Sequence, residues 1–232
     1  LPKLTGKPKK SKIETFLSSI RNRNEVNKNN LKTGFTLAEV LITLVIIGII
    51  ASLVIPAIIN DTQEAEQKTA WKKTYSELEQ ATRRIMMDNG GTMKGYLKTT
   101  RSALIPQYNQ FLSCTKQHLT DGLFNTASNN YKYLNGAGAN TSLFDDGQFI
   151  LSNGVFIALE DPAGNTIYTA YDVIWVDVNG FKKGPNIIGK DTFGVQVMDT
   201  GIKPLGSQGD GYEDTCSTSS TGWGCSAKYL YQ

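Results

Sequence analysis

Between Phe35 and Ile59 the chain runs for twenty-five residues with a single charge, Glu39. At a rise of about 1.5 Å per residue, a helix of that length crosses the roughly 30 Å hydrocarbon core of a bilayer. Val40, Leu41, Ile42, Leu44, Val45, Ile46, Ile47, Ile49 and Ile50 point in all directions around the axis, so the run reads as neither capped nor amphipathic. An ordinary secretory signal has a shorter apolar core with a small-residue cleavage site beyond it, whereas Ala51-Ser52-Leu53 and Pro56-Ala57 lie inside this run. The segment therefore reads as a membrane helix. Its one carboxylate costs several kcal/mol among apolar neighbours, on the order of a buried unpaired charge after relaxation, unless it is neutralised or paired.

Charge is segregated around this helix. Residues 1–34 hold nine basic residues against Glu14 and Glu25, a net of +7, which leaves −4 for the rest of a chain whose total is +3. Basic residues beside a first span hold that side in the cytoplasm and send the C-terminal part across the membrane. The basicity thus belongs to a membrane flank, and no nucleic-acid partner is expected. Ile13, Phe16, Leu17 and Ile20 have helical spacing, but the segment reads chiefly as a solvated basic tail and as a targeting segment outside the fold.

Gly34-Phe35-Thr36-Leu37-Ala38-Glu39, with a basic segment before it and an unbroken apolar run after it, resembles the prepilin processing and methylation site of type IV pilins and of the pseudopilins of type II secretion systems. The resemblance implies that a membrane aspartyl protease, the prepilin peptidase and methyltransferase, removes a basic leader, residues 1–34. Cleavage after Gly34 makes Phe35 the N-methylated first residue. Glu39 then pairs with the terminal amine of a neighbouring subunit, and residues 35–59 serve first as membrane anchor and then as assembly helix. Copies of the chain and other pilin-like subunits are the expected partners. The expected location is the bacterial inner membrane, single-pass with residues 60–232 exported, then a periplasmic or cell-surface filament.

Residues 60–88 continue the helix. Pro56 should kink or loosen it rather than stop it. Trp71, Tyr75, Leu78, Thr82 and Ile85 form one face, and Asn89-Gly90-Gly91 closes the helix. Continuous from Phe35 to about Asp88, it would be roughly 80 Å long. Residues 89–147 form an irregular connecting region with a short helix around Ser102–Leu112 and loops at Ala127–Asn130 and Asn135–Ser142. Residues 148–204 read as an antiparallel sheet. Gln148–Ser152 and Val155–Glu160 flank the hairpin signal Asn153-Gly154, and Asp161–Asn165 makes the next turn. Ile167–Tyr171, Val173–Val178 and Phe193–Met198 follow as strands, with turns at Asn179-Gly180 and Asp199-Thr200-Gly201. One sheet face needs a cover, which the apolar stripe of the helix provides, an α+β arrangement that resembles the pilin fold.

Catalytic chemistry is sparse. His118 stands alone with Asp121 as its nearest carboxylate in sequence, and no phosphate-binding glycine loop, paired-histidine motif or nucleophile elbow is present. The chain does not read as an enzyme and requires no cofactor. Cys216 and Cys225 bracket a short polar loop in residues 205–232, and a disulfide there would stabilise an exported domain by roughly 2.5–3 kcal/mol. With Cys114, three pairings are open; the resemblance, in which C-terminal disulfide loops recur, points to Cys216–Cys225. The stretch Asp172–Asp191 resembles a C-terminal segment of pseudopilins, where calcium stabilises the fold, and Asp177, Asn179 and Asp191 offer hard oxygen ligands. The same residues also read as a turn at Asn179-Gly180 with Asp side chains bonded to local backbone. The expected role is a structural subunit of a type IV pilus or a type II secretion pseudopilus, with a monomeric membrane-anchored exported binding protein as the alternative.

Overall fold

The computed structural model describes residues 34–96, 104–118, 131–144, 147–160 and 172–232. The leader to residue 33, the loop at Ala127–Asn130, the turn at Asp161–Asn165 and the strand expected at Ile167–Tyr171 lie outside the described residues. The chain forms two compact units that meet in sequence at Pro56 and Ala57.

In the first unit, helix α1 (Leu37–Asp88) begins. Its large apolar side chains from Leu37 to Ile55 are all exposed, from 43% at Val40 to 79% at Leu37. That much unpartnered hydrocarbon is stable in lipid or against like helices. Between Leu37 and Ile55 the two hydroxyls are bonded to the helix itself, Thr43 Oγ1 to the Val40 carbonyl at 2.9 Å and Ser52 Oγ to the Ile49 carbonyl at 2.8 Å. Neither presents an unsatisfied donor to an apolar surround.

In the second unit, α1 continues as an amphipathic helix. Trp71, Thr74, Leu78, Ala81, Thr82 and Ile85 are buried, following the period of the helix. Three lysine or arginine partners on the outer side pair with glutamates one turn away, at Lys68–Glu64, Lys73–Glu77 and Arg83–Glu79. The helix closes where Gly91 N–H donates to the Met86 carbonyl at 2.7 Å, with Gly90 and Gly91 at positive φ. A short helix α2 (Leu104–Phe111) follows, bonded to α1 by the buried pair of hydroxyls Thr82 and Tyr108 at 2.7 Å.

Among the described residues, six antiparallel strands form a meander in sequence order: β1 (Cys114–His118), β2 (Gly147–Leu151), β3 (Phe156–Glu160), β4 (Asp172–Asp177), β5 (Thr192–Met198) and β6 (Gly201–Pro204). The Asn153-Gly154 and Asp199-Thr200 hairpins stand where the turn residues place them. Asn179-Gly180 turns the chain as expected, with Gly180 at positive φ, and opens a loop from residue 178 to residue 191 between β4 and β5. The edge strands β1 and β6 were not expected, nor was the terminal helix α3 (Cys225–Tyr231).

Both faces of the sheet are covered. Phe149, Leu151, Ile157, Leu159, Ile174, Val176, Phe193, Val195 and Val197 pack under α1 and α2. Trp71 stacks on Phe193 with centroids 4.8 Å apart, and its indole N–H donates to the Ser226 carbonyl at 2.9 Å, which fixes α3 against α1. The alternate residues Phe156, Ala158, Val173 and Trp175 form a second core with Tyr131, Leu143, Phe144, Ile188, Leu205 and Trp223. The helix therefore covers one face, as expected, while the connecting region and the C-terminal loops cover the other.

Candidate functional sites

The first site is the start of α1. Thr36 precedes the first helical residue, and its carbonyl accepts the opening helical bond from Val40 N–H at 3.2 Å. The Glu39 N–H donates to Thr36 Oγ1 at 3.2 Å, while Thr36 N–H and Oγ1–H donate to Glu39 Oε2 at 2.8 and 2.9 Å. This is a capping box, in which a threonine and a glutamate three residues later satisfy each other's orphan backbone donors. The apolar helix is thus capped, which corrects the uncapped reading. The signal was present as Thr-x-x-Glu directly before an apolar run. Among the described residues, both bonds to the carboxylate fall on Oε2, which leaves Oε1 without a donor.

The second site is the loop between β4 and β5. It brings Asp177, Asn179 and Asp191 together as the sequence suggested and adds Asn186 and Tyr131. Asp177 ends β4, and its Oδ1 accepts the Asn179 and Gly180 N–H groups at 3.2 and 2.9 Å. Its Oδ2 accepts the Tyr131 hydroxyl. Asp191, just before β5, accepts Ile187 N–H on Oδ1 and Asn186 N–H on Oδ2, both at 2.7 Å, with Asn179 Nδ2 at 3.4 Å. The expected bonding of Asp side chains to local backbone is therefore present.

The electrostatics leave that network incomplete. Asp177 and Asp191 are 1% and 0% exposed. Burial, and then the neighbouring Asp191 charge, push the Asp177 carboxyl up to about 7, against the pull of its hydrogen bonds. Burial also raises Asp191. Tyr131 is held well above the usual phenol range by burial and by Asp177. The amide N–H groups of Asn179 and Asn186 donate to the carbonyls of Gly184 and Phe181 at 3.1 and 3.0 Å, which fixes how both amides are turned. Their oxygens are then buried without a hydrogen-bond donor. Two buried carboxylates and two amide oxygens without a donor thus lie in one loop, and oxygen is the atom type that a hard cation takes. Asn186, at φ 53 in the Gly-Pro-Asn turn, was missed because nothing in its spacing marks it. No cluster of three or more acidic, histidine or cysteine side chains occurs among the described residues.

The C-terminal loop is closed by a disulfide between Cys216 and Cys225. Cys225 is fully buried at the start of α3. Cys114, on β1, is unpaired, and burial pushes its thiol up to about 11, which makes it a poor nucleophile.

Comparison with known proteins agrees with the first site. Residues 29–55 match the prokaryotic N-terminal methylation motif. The chain is 42% identical over 45 residues to type II secretion system core protein G of Vibrio cholerae serotype O1, across 19% of this chain and 31% of that protein. It is 40% identical over 58 residues to the protein of the same name from Aeromonas hydrophila, across 25% of this chain and 40% of that one. The chain thus spans well under half the length of the curated relatives it matches, and no solved structure matches it. In its methylation motif at the head of a long apolar helix, and in an α+β domain where that helix lies on an antiparallel sheet, the chain is similar to pilin-like proteins.

Proposed function

We propose that the chain is a structural subunit of a type IV pilus or of a type II secretion pseudopilus, not a catalyst. In this reading it is cut after Gly34, methylated on the new amine of Phe35 and polymerised through Phe35–Ile59, within the inner membrane and then in a filament. The observation that carries the reading is Glu39, the single charge of an exposed apolar helix, set within a methylation motif. Cleavage creates a cation that the precursor lacks, and the free Oε1 edge of Glu39 is the complementary partner on a neighbouring copy. The capping box keeps the carboxylate satisfied until that amine arrives. Similarity to core protein G favours the pseudopilus. Shearing cells and recovering the protein as filaments tests the reading; recovery only as a membrane-bound monomer supports the binding-protein alternative.

The loop between β4 and β5 has a supporting role in this proposal. Asp177, Asn179, Asn186 and Asp191 would hold calcium, whose charge would offset the repulsion between the two carboxylates and tie residues 178–191 to the sheet. A melting scan with and without chelator tests it, and an unmoved transition would contradict it.

A further inference from the structure

Residues 131–139 run between two parts of the molecule that sequence treats as unrelated, the buried Asp177–Asp191 cluster and the disulfide loop. At one end the Tyr131 hydroxyl donates to Asp177. Next to it, Lys132 N–H donates to the Asn186 carbonyl at 3.0 Å and Ile188 N–H donates back to the Lys132 carbonyl at 2.9 Å. At the other end Leu134 N–H reaches the Thr221 carbonyl at 3.1 Å and Asn135 N–H the Ser220 carbonyl at 2.9 Å. The rings alternate likewise, with Tyr131 on Phe144 at 4.5 Å and Tyr133 toward Trp223 at 6.4 Å.

The loop between β4 and β5 and the disulfide loop also touch directly. A Cβ on Gly222 would overlap the Ile188 carbonyl oxygen and lie 2.9 Å from Leu134 Cβ, so residues 131–139, the β4–β5 loop and the disulfide loop meet at one backbone crossing. A Cβ on Gly189 would lie 2.8 Å from the Gly222 oxygen and 3.0 Å from Cys225 Sγ. Both glycines have positive φ, a conformation that suits glycine and permits such an approach. None of the three segments has regular secondary structure to hold it alone.

We propose that residues 131–139 are a strap through which the Asp177–Asp191 cluster and the Cys216–Cys225 loop hold each other in place, with Tyr131 as the positioning residue of the cluster. The strap stands on the geometry above; its consequence for calcium rests on the cation reading of the cluster. If one site orders the strap, the other binds or closes at less entropic cost, and the coupling is reciprocal. Reduction of the disulfide should therefore weaken the cluster, and a loosened cluster should expose the disulfide.

The test uses the full chain in detergent, stripped of divalent ions. Dithiothreitol passes two electrons and two protons to Cys216–Cys225 and is itself oxidised to a cyclic disulfide, and alkylation followed by mass spectrometry reads the rate. Tyr131→Phe keeps the ring and loses only the hydroxyl. The strap predicts reduction about fivefold faster than in wild type, the factor expected for one net hydrogen bond, while Tyr133→Phe, on the same strap but away from Asp177, stays near wild type. Equal rates in Tyr131→Phe and wild type overturn the coupling. Wild type alone supplies a second arm in case the variant does not fold. After reduction, amide exchange at Lys132 and Ile188 should accelerate by a similar factor, and unchanged exchange overturns the coupling. Calorimetric titration with calcium chloride separates the two readings. Affinity lower in the reduced than in the oxidised protein supports the strap, and equal affinity in both states contradicts it. Absence of binding to the oxidised protein removes the cation reading, and the strap is then decided by the reduction and exchange rates.

Discussion

Replacing Glu39 by Gln separates the cap that the structure shows from the pairing proposed for this side chain. Glutamine serves at the third position of a capping box as glutamate does, so the bonds at 2.8 and 2.9 Å between Thr36 and the Glu39 side-chain oxygen can be kept. The variant loses the negative charge and little else. A cap is worth about 1 kcal/mol. A charge pair at about 4 Å with an effective dielectric near 20 is worth on the order of 4 kcal/mol before desolvation. If the capping box were all that Glu39 does, Glu39→Gln would behave as wild type. If Glu39 awaits a neighbour's amine, the variant inserts into the membrane, is processed after Gly34, and fails to enter filaments. The assay compares the amount in membrane fractions with the amount in sheared filaments, read by immunoblot. Thr36→Val is the complementary variant, losing the side-chain cap and keeping the charge, and should retain more assembly than Glu39→Gln. Wild-type filament yield from Glu39→Gln would refute the pairing argument.

Other consequences concern the exported unit. Trp71→Ala removes a fully buried indole that stacks on Phe193 and bonds Ser226; a loss of about 3–5 kcal/mol is expected, read as a lowered denaturant midpoint. Gly222→Ala drives a methyl into the Ile188 carbonyl oxygen at a positive φ and should cost at least about 1–3 kcal/mol as overpacking does, with the midpoint again the readout. Calcium at one hundred times its dissociation constant should raise unfolding stability by about 2.7 kcal/mol, and Asp191→Ala should abolish that increment as well as calcium binding in calorimetry.

The parts of the fold that read directly from sequence are those in which local chemistry and tertiary packing agree. The apolar run, the stripe Trp71, Leu78, Ile85, and the Asn153-Gly154 hairpin each carry their own signal and stand where it puts them. β1 was hidden because Cys114–His118 is polar and short, and its pairing comes from β2 rather than from its own pattern. β6 ends in Pro204 and spans four residues, so it looks like the tail of a turn. The second core was hidden for a different reason. Phe156–Leu159 and Val173–Val176 are continuous apolar runs, the mark of strands buried on both faces. The second face is covered by irregular chain, whose Tyr131 and Trp223 are placed by long-range contacts that no periodicity reveals.

The same division holds for the sites. Asp177, Asn179 and Asp191 were legible as oxygen donors, because acidic and amide residues near a turn advertise themselves. Asn186 and Tyr131 join them only through folding. At the helix start the reverse occurred, since the pattern Thr36-x-x-Glu39 was readable and the weight of hydrocarbon around it obscured the cap.

The central claim is that Gly34–Phe35 is a processing site whose product polymerises. N-terminal sequencing with mass spectrometry of the protein recovered from sheared filaments addresses it most directly. The account predicts a chain that begins at Phe35 with one added methyl group on its amine. Filaments built from a chain that retains residues before Phe35, or a protein found only as an unprocessed monomer in the membrane, would contradict it.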